Sequence, residues 1–227
     1  MTTTARARKP GKGYKGMGME GSVARWYARS TGNVIEQYRA EARRLREQLG
    51  DGGSVLEVAP GPGYLAIELA RLGVHEVVGL DISKTFVELA TENAKKAGVQ
   101  VAFHHGNASA MPFDPGSFDL IVCRAAFKNF SEPVCAIEEM YRVLRPGGKA
   151  IILDLRRDAT PEDIAAAVVE MKLSWWNSFV TRLTFKHMLL KRAHSKESFR
   201  RMAAQTSFHT CTFREESIGL EVGFVKP

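Results

Sequence analysis

The sequence has little cysteine and no long apolar run, and each absence excludes a class of protein. Its 227 residues include three scattered cysteines without a CxxC pair, namely Cys123, Cys135 and Cys211. This excludes a disulfide framework and a zinc knuckle, and is typical of reduced thiols in a cytosol. No run of about 18 apolar residues could span a bilayer, and no apolar segment follows the first basic residues as in a secretory signal. We therefore expect a cytoplasmic protein without a membrane span, for which peripheral membrane contact stays open.

Acidic residues are fewer than basic ones, and much of the basic excess lies at the start of the chain. Lys and Arg number 32 against 25 Asp and Glu, which gives a formal net charge of +7. Five basic residues precede residue 19: Arg6, Arg8, Lys9, Lys12 and Lys15. A basic, glycine-rich start predicts a flexible, solvated tail over residues 1–19. Because the rest of the chain shows no second basic patch interleaved with aromatics, we expect no nucleic-acid partner.

Strand and helix patterns alternate from residue 54 onward and predict the fold class. Five apolar strands are expected at Ser54–Ala59, Glu76–Asp81, Val99–His105, Phe118–Arg124 and Lys149–Leu155. Helices between strands of this kind indicate a parallel doubly wound sheet. The last residues alternate as two strands meeting at Glu216–Ser217, which must pair antiparallel. We expect one α/β, Rossmann-like domain over residues 20–227, with a mainly parallel seven-stranded sheet, an antiparallel C-terminal hairpin and a helical cap at about 161–194.

A glycine turn follows the first strand in VLEVAPGPGYL, residues 55–65. Such turns usually bind phosphates through helix amides, and Asp81 follows at about the 20-residue spacing of a ribose-binding acid. Glu57 argues against a pyrophosphate, because its carboxylate would repel one, whereas it suits an ammonium group. S-adenosyl-L-methionine carries an ammonium, a ribose and a sulfonium, and no phosphate. It is the predicted cofactor.

The chain resembles the class I S-adenosylmethionine-dependent methyltransferases from Asn33 to Pro227, on four motifs in the family's order. They are VLEVAPGPGYLAIELA, VVGLDIS, GNASAMPFDPGSFDLIVCR and EEMYRVLRPGGKAIILDL. Ala59 stands where the family has its first glycine, and Asn107-Ala108 where it usually has Asp-Ala beside the adenine amino group. The resemblance implies the following cofactor contacts: Glu57, Ala59, Gly61, Gly63, Asp81, Ile82, Asn107, Ala108, Arg124 and Tyr27.

Within that family, AAFKNFSE and the terminal IGLEVGFVKP are most similar to the ubiquinone/menaquinone-biosynthesis methyltransferases. Lys128 stands where those enzymes have an arginine, and Asn129 matches. A lysine near the sulfonium and partly out of water would have its ammonium form disfavoured, so the free amine could accept a proton or orient the acceptor. We expect Lys128 and Asn129 to be catalytic. The alternative is a lysine that extends to solvent and only borders the pocket.

The expected reaction is methyl transfer from S-adenosylmethionine to a small, apolar or aromatic metabolite. Candidate substrate contacts are Tyr14, Phe127, Trp175, Trp176 and His187, because ligand pockets are mostly apolar with a few placed polar groups. The cap aromatics could instead pack on the sheet or form an interfacial helix. No clustered acids suggest a magnesium site, so no metal is expected. There are two alternatives: a scaffold that binds the cofactor without catalysis, and an RNA-directed methyltransferase that uses the basic tail. The sequence favours no oligomeric state.

Overall fold

Seven strands form a single mixed sheet in the computed structural model, which describes residues 13–15, 18–31, 35–49, 53–170 and 190–227. The strands are β1 Ser54–Val58, β2 Glu76–Asp81, β3 Ala102–His105, β4 Phe118–Arg124, β5 Leu144–Leu155, β6 Thr212–Glu216 and β7 Gly219–Val225. Their order is β3-β2-β1-β4-β5-β7-β6. The first five are parallel, and β7 pairs antiparallel with both β5 and β6. This arrangement confirms the predicted fold class.

The helices flank this sheet. They are α1 Gly21–Thr31, α2 Ile35–Glu47, α3 Tyr64–Arg71, α4 Lys84–Ala97, α5 Pro133–Val143, α6 Pro161–Glu170, α7 Leu190–Arg192 and α8 Lys196–Ala204, with a 3-10 turn at Phe127–Asn129. The predicted cap is covered only at its two ends, by α6 and α7. Trp175, Trp176 and His187 lie outside the described residues. In the part of the chain that is described, no helix is long and apolar enough to cross a bilayer.

Each face of the sheet buries its own core, because successive side chains of a strand point to opposite faces. Leu56 and Ile121 pack with Ile137 and Met140 of α5 in one cluster. Their neighbours in the strands pack on the other face with side chains of α2 and α3, in a cluster that contains Val55, Leu120, Val122, Leu45 and Leu65. Burial on both faces explains why these strands are nearly continuous apolar runs.

The strand order places a ligand crevice above β1. The chain runs outward from β1 through β2 to β3, and then crosses back to β4 on the other side of β1. In open α/β sheets, ligands bind at the carboxyl ends of the strands where the order reverses in this way. The residues that follow β1, β2 and β4 therefore surround one crevice.

The segment before α1 covers the edge of this crevice. The Ser131 amide donates to the Gly13 carbonyl at 3.3 Å, and the Lys15 amide donates to the Asn129 carbonyl at 2.7 Å. Further along, the Ser83 hydroxyl donates to the Met19 carbonyl at 2.6 Å. We name residues 13–15 and 18–20 the N-terminal strap. The predicted flexible tail ran to residue 19. Of that range, residues 13–15, 18 and 19 belong to the strap, and residues 1–12, 16 and 17 lie outside the described residues.

Candidate functional site

The turn after β1 is built from residues with a left-handed backbone. Ala59, Gly61 and Gly63 have φ values of 58°, 55° and 80°. A Cβ atom at Gly63 would lie 2.8 Å from the Phe103 ring and 2.9 Å from the Cβ of Ala90, so only glycine lets α3 begin there. A Cβ at Gly61 would meet no atom within 4 Å. Gly61 therefore faces open space in which a ligand can approach the backbone.

Two alanines hold strained conformations on either side of the crevice. Ala59 follows β1 and Ala125 follows β4, and each has a φ of 58°. A left-handed conformation costs an alanine about 1–2 kcal/mol. The Ala59 amide donates to the Leu80 carbonyl at 2.8 Å, and the Ala125 amide donates to the Leu153 carbonyl at 2.7 Å. Strained backbone of this kind clusters at functional sites. Here each alanine lies where the chain turns away from a strand, and the two strands, β1 and β4, are neighbours.

Glu57 is the first of two buried carboxyl groups at the crevice. It is 3% exposed, and its Oε2 accepts a hydrogen bond of 2.9 Å from the Ala66 amide at the start of α3. Burial raises the pKa of Glu57 to about 8. A cation placed beside this carboxyl would favour its ionised form. Glu57 is thus suited to an ammonium group.

Asp81, the second buried carboxyl, ends β2. Its Oδ2 accepts from the Gly61 amide at 3.0 Å, and its Oδ1 accepts from the Ser83 amide at 2.8 Å. Burial raises the pKa of Asp81 to about 6. Each carboxylate oxygen has two acceptor positions, so one on each oxygen remains for a vicinal pair of hydroxyls. This geometry fits the ribose expected there.

The remaining predicted cofactor residues separate into two groups. Ile82 and Asn107 lie under the N-terminal strap, because a Cβ at Gly13 would collide with Ile82 and would lie 3.0 Å from Asn107 Nδ2. Ala108, the residue after Asn107, packs against the core. Tyr27 and Arg124 lie toward α1 and α2. The Tyr27 ring packs edge-on against Phe86, and the Arg124 guanidinium lies 4.4 Å from the centre of the Tyr38 ring.

The contacts that hold the strap in place were not predicted from the sequence. Both carboxylate oxygens of Glu20 accept from the start of α4, from the Lys84 amide at 3.0 Å and from the Thr85 amide and hydroxyl at 3.1 and 2.6 Å. Ser83 is the N-cap of that helix, since its hydroxyl accepts from the Phe86 amide. A capping acid immediately before a helix is a recognisable signal. This acid is distant in sequence, so no local pattern marks it.

Lys128 has a partner that the sequence analysis did not include. Its Nζ donates to Asp154 Oδ1 at 2.8 Å and to the Ala125 carbonyl at 2.6 Å, and its amide donates to Asp154 Oδ2 at 2.9 Å. Both side chains are buried. The expected environment, a lysine beside the sulfonium without an acidic partner, therefore differs from the ion pair that the structure shows. Asn129 is the next residue of the 3-10 turn, and its carbonyl accepts a hydrogen bond from the Lys15 amide.

The structure describes two of the five predicted substrate residues, Tyr14 and Phe127. Tyr14 lies in the strap and pairs with Phe130 in an isolated bridge, and burial raises the pKa of its hydroxyl. Phe127 is instead fully buried and stacks on Phe199 at 5.4 Å, so its ring belongs to the core and not to a pocket wall. Among the residues that the structure covers, no cluster of three or more His, Cys, Asp or Glu side chains could hold a metal.

Comparison with known proteins shows which family the chain resembles. Residues 56–152 match the family model described as a methyltransferase domain. Over that segment, which is less than half of the chain, the protein resembles the methyltransferase domains. A demethylmenaquinone methyltransferase of Deinococcus radiodurans is 38% identical to the chain over 101 residues. The match spans 44% of this chain and 42% of that relative, less than half of its length.

Solved structures extend the likeness of the methyltransferase domain to most of the chain. A protein of Methanococcus maripaludis assigned to the S-adenosylmethionine-dependent methyltransferases superposes with a TM-score of 0.71 at 20% identity, covering 93% of this chain and 95% of that one. For a methyltransferase of the same dependence from Aquifex aeolicus, the TM-score is 0.66 at 16% identity, with coverages of 88% and 97%. At identities this low, the two superpositions establish the shared fold alone. Together with the domain match, they confirm the predicted family resemblance and support S-adenosylmethionine as the cofactor.

Proposed function

We propose that the protein transfers the methyl group of S-adenosylmethionine to a small-molecule acceptor. The observation that carries this proposal is the pair of buried carboxyls, Glu57 and Asp81, on either side of the open turn at Gly61. They stand at the carboxyl ends of adjacent strands, where the strand order reverses. The two acids suit an ammonium and a ribose, and Glu57 would repel a pyrophosphate.

The residues present fit this cofactor. Asp81 would accept from the ribose hydroxyls, Glu57 would face the ammonium, and Asn107 would meet the adenine amino group. When bound, S-adenosylmethionine supplies a methyl group already activated by the sulfonium. The work left to the chain is to orient the acceptor and exclude water, and orientation alone can supply about 7–11 kcal/mol. The N-terminal strap, which lies over Ile82 and Asn107, is placed to exclude water.

The acceptor side of the crevice lies beyond β4. We propose that the Lys128–Asp154 pair positions the turn that carries Asn129, and that Tyr14 borders the acceptor. The name of the Deinococcus radiodurans relative suggests a quinone-like ring as one acceptor class. A ring of this kind agrees with the apolar or aromatic acceptor expected from the sequence. A scaffold that binds the cofactor without turnover would share the carboxyl pair but would form no methylated product.

Calorimetry with S-adenosylhomocysteine tests the cofactor assignment. Asp81→Asn should weaken binding by about tenfold or more, because hydrogen bonds to charged groups contribute about 1.5–3 kcal/mol each. Asp114→Asn is the matched control, since Asp114 is exposed and precedes β4 at the opposite end of the sheet. Equal affinity in a folded Asp81→Asn variant and the wild type would refute the ribose assignment.

Product formation separates the enzyme from the scaffold. The protein should label a small molecule when it is incubated with methyl-labelled cofactor and a metabolite extract, and mass spectrometry should identify the product. Label that appears only in RNA would favour the RNA-directed alternative. Absence of any labelled product, with cofactor binding intact, would favour the scaffold.

A further inference from the structure

A cavity of about 320 Å³ beside the N-terminal strap has walls that are almost entirely basic. Its side chains come from four separate parts of the chain: the strap, the 3-10 turn, the segment after β5, and α7 with the residues that follow it. They are Lys15, Lys128, Arg157, Lys191, Arg192 and His194. The volume falls near the lower end of the range of small-molecule sites, about 300–1,000 Å³. No acidic residue lines this cavity in the described structure.

Four of these positive charges are not neutralised by an ion pair in the described residues. Asp154 neutralises Lys128, and the nearby Arg156 pairs with Asp158, Asp163 and Glu215. No ion pair within the described ranges involves Lys15, Arg157, Lys191 or Arg192. Like charges gathered around one cavity repel each other. An anion in the cavity would relieve that repulsion.

His194 gives a second and independent indication of a ligand. Its ring packs against Phe127 and Phe199, with its centroid 5.6 Å from that of each. Nδ1 lies 3.3 Å from the Ser198 hydroxyl oxygen, and the buried Nε2 has no hydrogen-bond partner among the described residues. Burial lowers the pKa of His194, and Lys15 lowers it further, so the ring is neutral near pH 7. If Nδ1 accepts from Ser198, Nε2 carries the proton and lacks an acceptor.

The cavity adjoins the cofactor crevice on the acceptor side. Lys15, which lines the cavity, follows Tyr14 in the strap, and its amide donates to the Asn129 carbonyl at 2.7 Å. Lys128 follows the carboxyl end of β4 by four residues. The methyltransferase domain match ends at residue 152, so it contains only Lys128 among the cations of the cavity.

We infer that the cavity binds an anionic group, a carboxylate or a phosphate, of the methyl acceptor. Arg157 and Arg192 offer planar pairs of donors that match such groups. Lys15 and Lys191 add positive charge, and His194 adds one neutral donor. The inference rests on the proposed methyl transfer and makes it more specific: the acceptor is an acid, whatever ring or chain it also carries.

Calorimetry with two simple probes tests this inference without knowledge of the acceptor. Inorganic phosphate and benzoate are titrated separately, at low salt, into the full chain with and without S-adenosylhomocysteine. The cavity variant is Arg157→Gln/Arg192→Gln. The control is Arg43→Gln/Lys95→Gln, which removes two exposed charges elsewhere. We expect the wild type and the control to bind one probe. The affinity of the cavity variant for that probe should be lower by roughly tenfold or more.

The probe that binds identifies the group, since phosphate indicates a phosphorylated acceptor and benzoate a carboxylic acid. Binding of neither probe to the wild type would overturn the inference, and so would equal binding by the cavity variant and the control. An RNA oligonucleotide that displaces phosphate would also overturn it, in favour of a polyanionic partner. S-adenosylhomocysteine affinity is measured in the same samples. If it is intact while the probes fail, only the inference fails; if it is absent, the proposed function fails as well.

Discussion

Glu57 is a carboxyl group whose ionisation depends on what binds beside it. Burial raises its pKa from 4.5 to about 8. Between these two values the folded chain binds one more proton than the unfolded chain, because the unfolded group is already ionised. The free energy of unfolding therefore decreases as pH rises from about 4.5 to about 8 through this group. In Glu57→Gln, that part of the pH dependence should be absent.

Cofactor binding should consequently release a proton. An ammonium beside Glu57 favours the carboxylate, so about one proton should leave the site when S-adenosylhomocysteine binds at pH 7. The measurement is the binding enthalpy in Pipes and in Tris, two buffers with different ionisation enthalpies. The enthalpies should differ for the wild type, and the difference should shrink in Glu57→Gln. Identical enthalpies in both buffers for the wild type would show that Glu57 does not meet the ammonium.

The 3-10 turn after β4 is fastened to β5 by the buried Lys128–Asp154 pair. Lys128→Met would leave the Asp154 carboxylate buried without its cation, and breaking such pairs costs about 3–5 kcal/mol. The amides of Lys128 and Leu155 still donate to Asp154, which places the cost toward the lower end. For a chain of this size, that cost corresponds to a decrease in Tm of about 6–12 °C.

A second substitution distinguishes this stabilising role from catalysis. Lys128→Met/Asp154→Asn should recover part of the lost Tm, because no unpaired charge remains and the Asn oxygen can still accept from one of the two amides. Lys149→Met, at an exposed lysine of β5, should melt like the wild type. Melting curves for the three variants give the answer. A Lys128→Met variant that keeps the wild-type Tm but loses turnover would restore the catalytic role expected from the sequence.

Elements with a local signal could be predicted, and those that depend on distant residues could not. Helix α4 has local signals at both ends, because Ser83 caps its start and Gly98, with a φ of 69°, ends it. Strand β5 begins at Leu144, five residues before the expected Lys149, since Leu144 pairs with Phe118 across a register shift. The glycines and charges between them hide that pairing in the sequence.

The same distinction applies to the site. Glu57 could be predicted because it lies near the end of an apolar strand that precedes a glycine turn, and Asp81 because it ends the next strand about 20 residues after that turn. Asp154 has no such signal: within IILDL it is one polar residue of a strand, and only the fold places it against Lys128. The cationic cavity was also hidden, since Lys15 and Arg192 lie near opposite ends of the chain.

At the scale of the whole molecule, the proposed cofactor and acceptor sites are formed by different parts of the chain. Glu57, Asp81 and Asn107 come from one continuous stretch inside the methyltransferase domain. The cationic cavity is assembled mainly from residues outside that stretch, such as Lys15, Arg157 and Arg192. This division explains why the family match supports the cofactor while leaving the acceptor to be inferred from this chain alone.

The position of β7 between β5 and β6 has a consequence for synthesis on the ribosome. β7 pairs along Lys149–Leu155 of β5, so that strand remains an unpaired apolar edge while residues 156–218 are translated. At about 5–20 residues per second this exposure lasts for several seconds. Exposed edges of this kind invite aggregation. A chain cut after Ile218 is therefore expected to pellet with the insoluble fraction, and a peptide of residues 219–227 supplied during translation should return part of it to the supernatant. If the cut chain stayed in the supernatant and bound S-adenosylhomocysteine normally, β5 would need no such late partner.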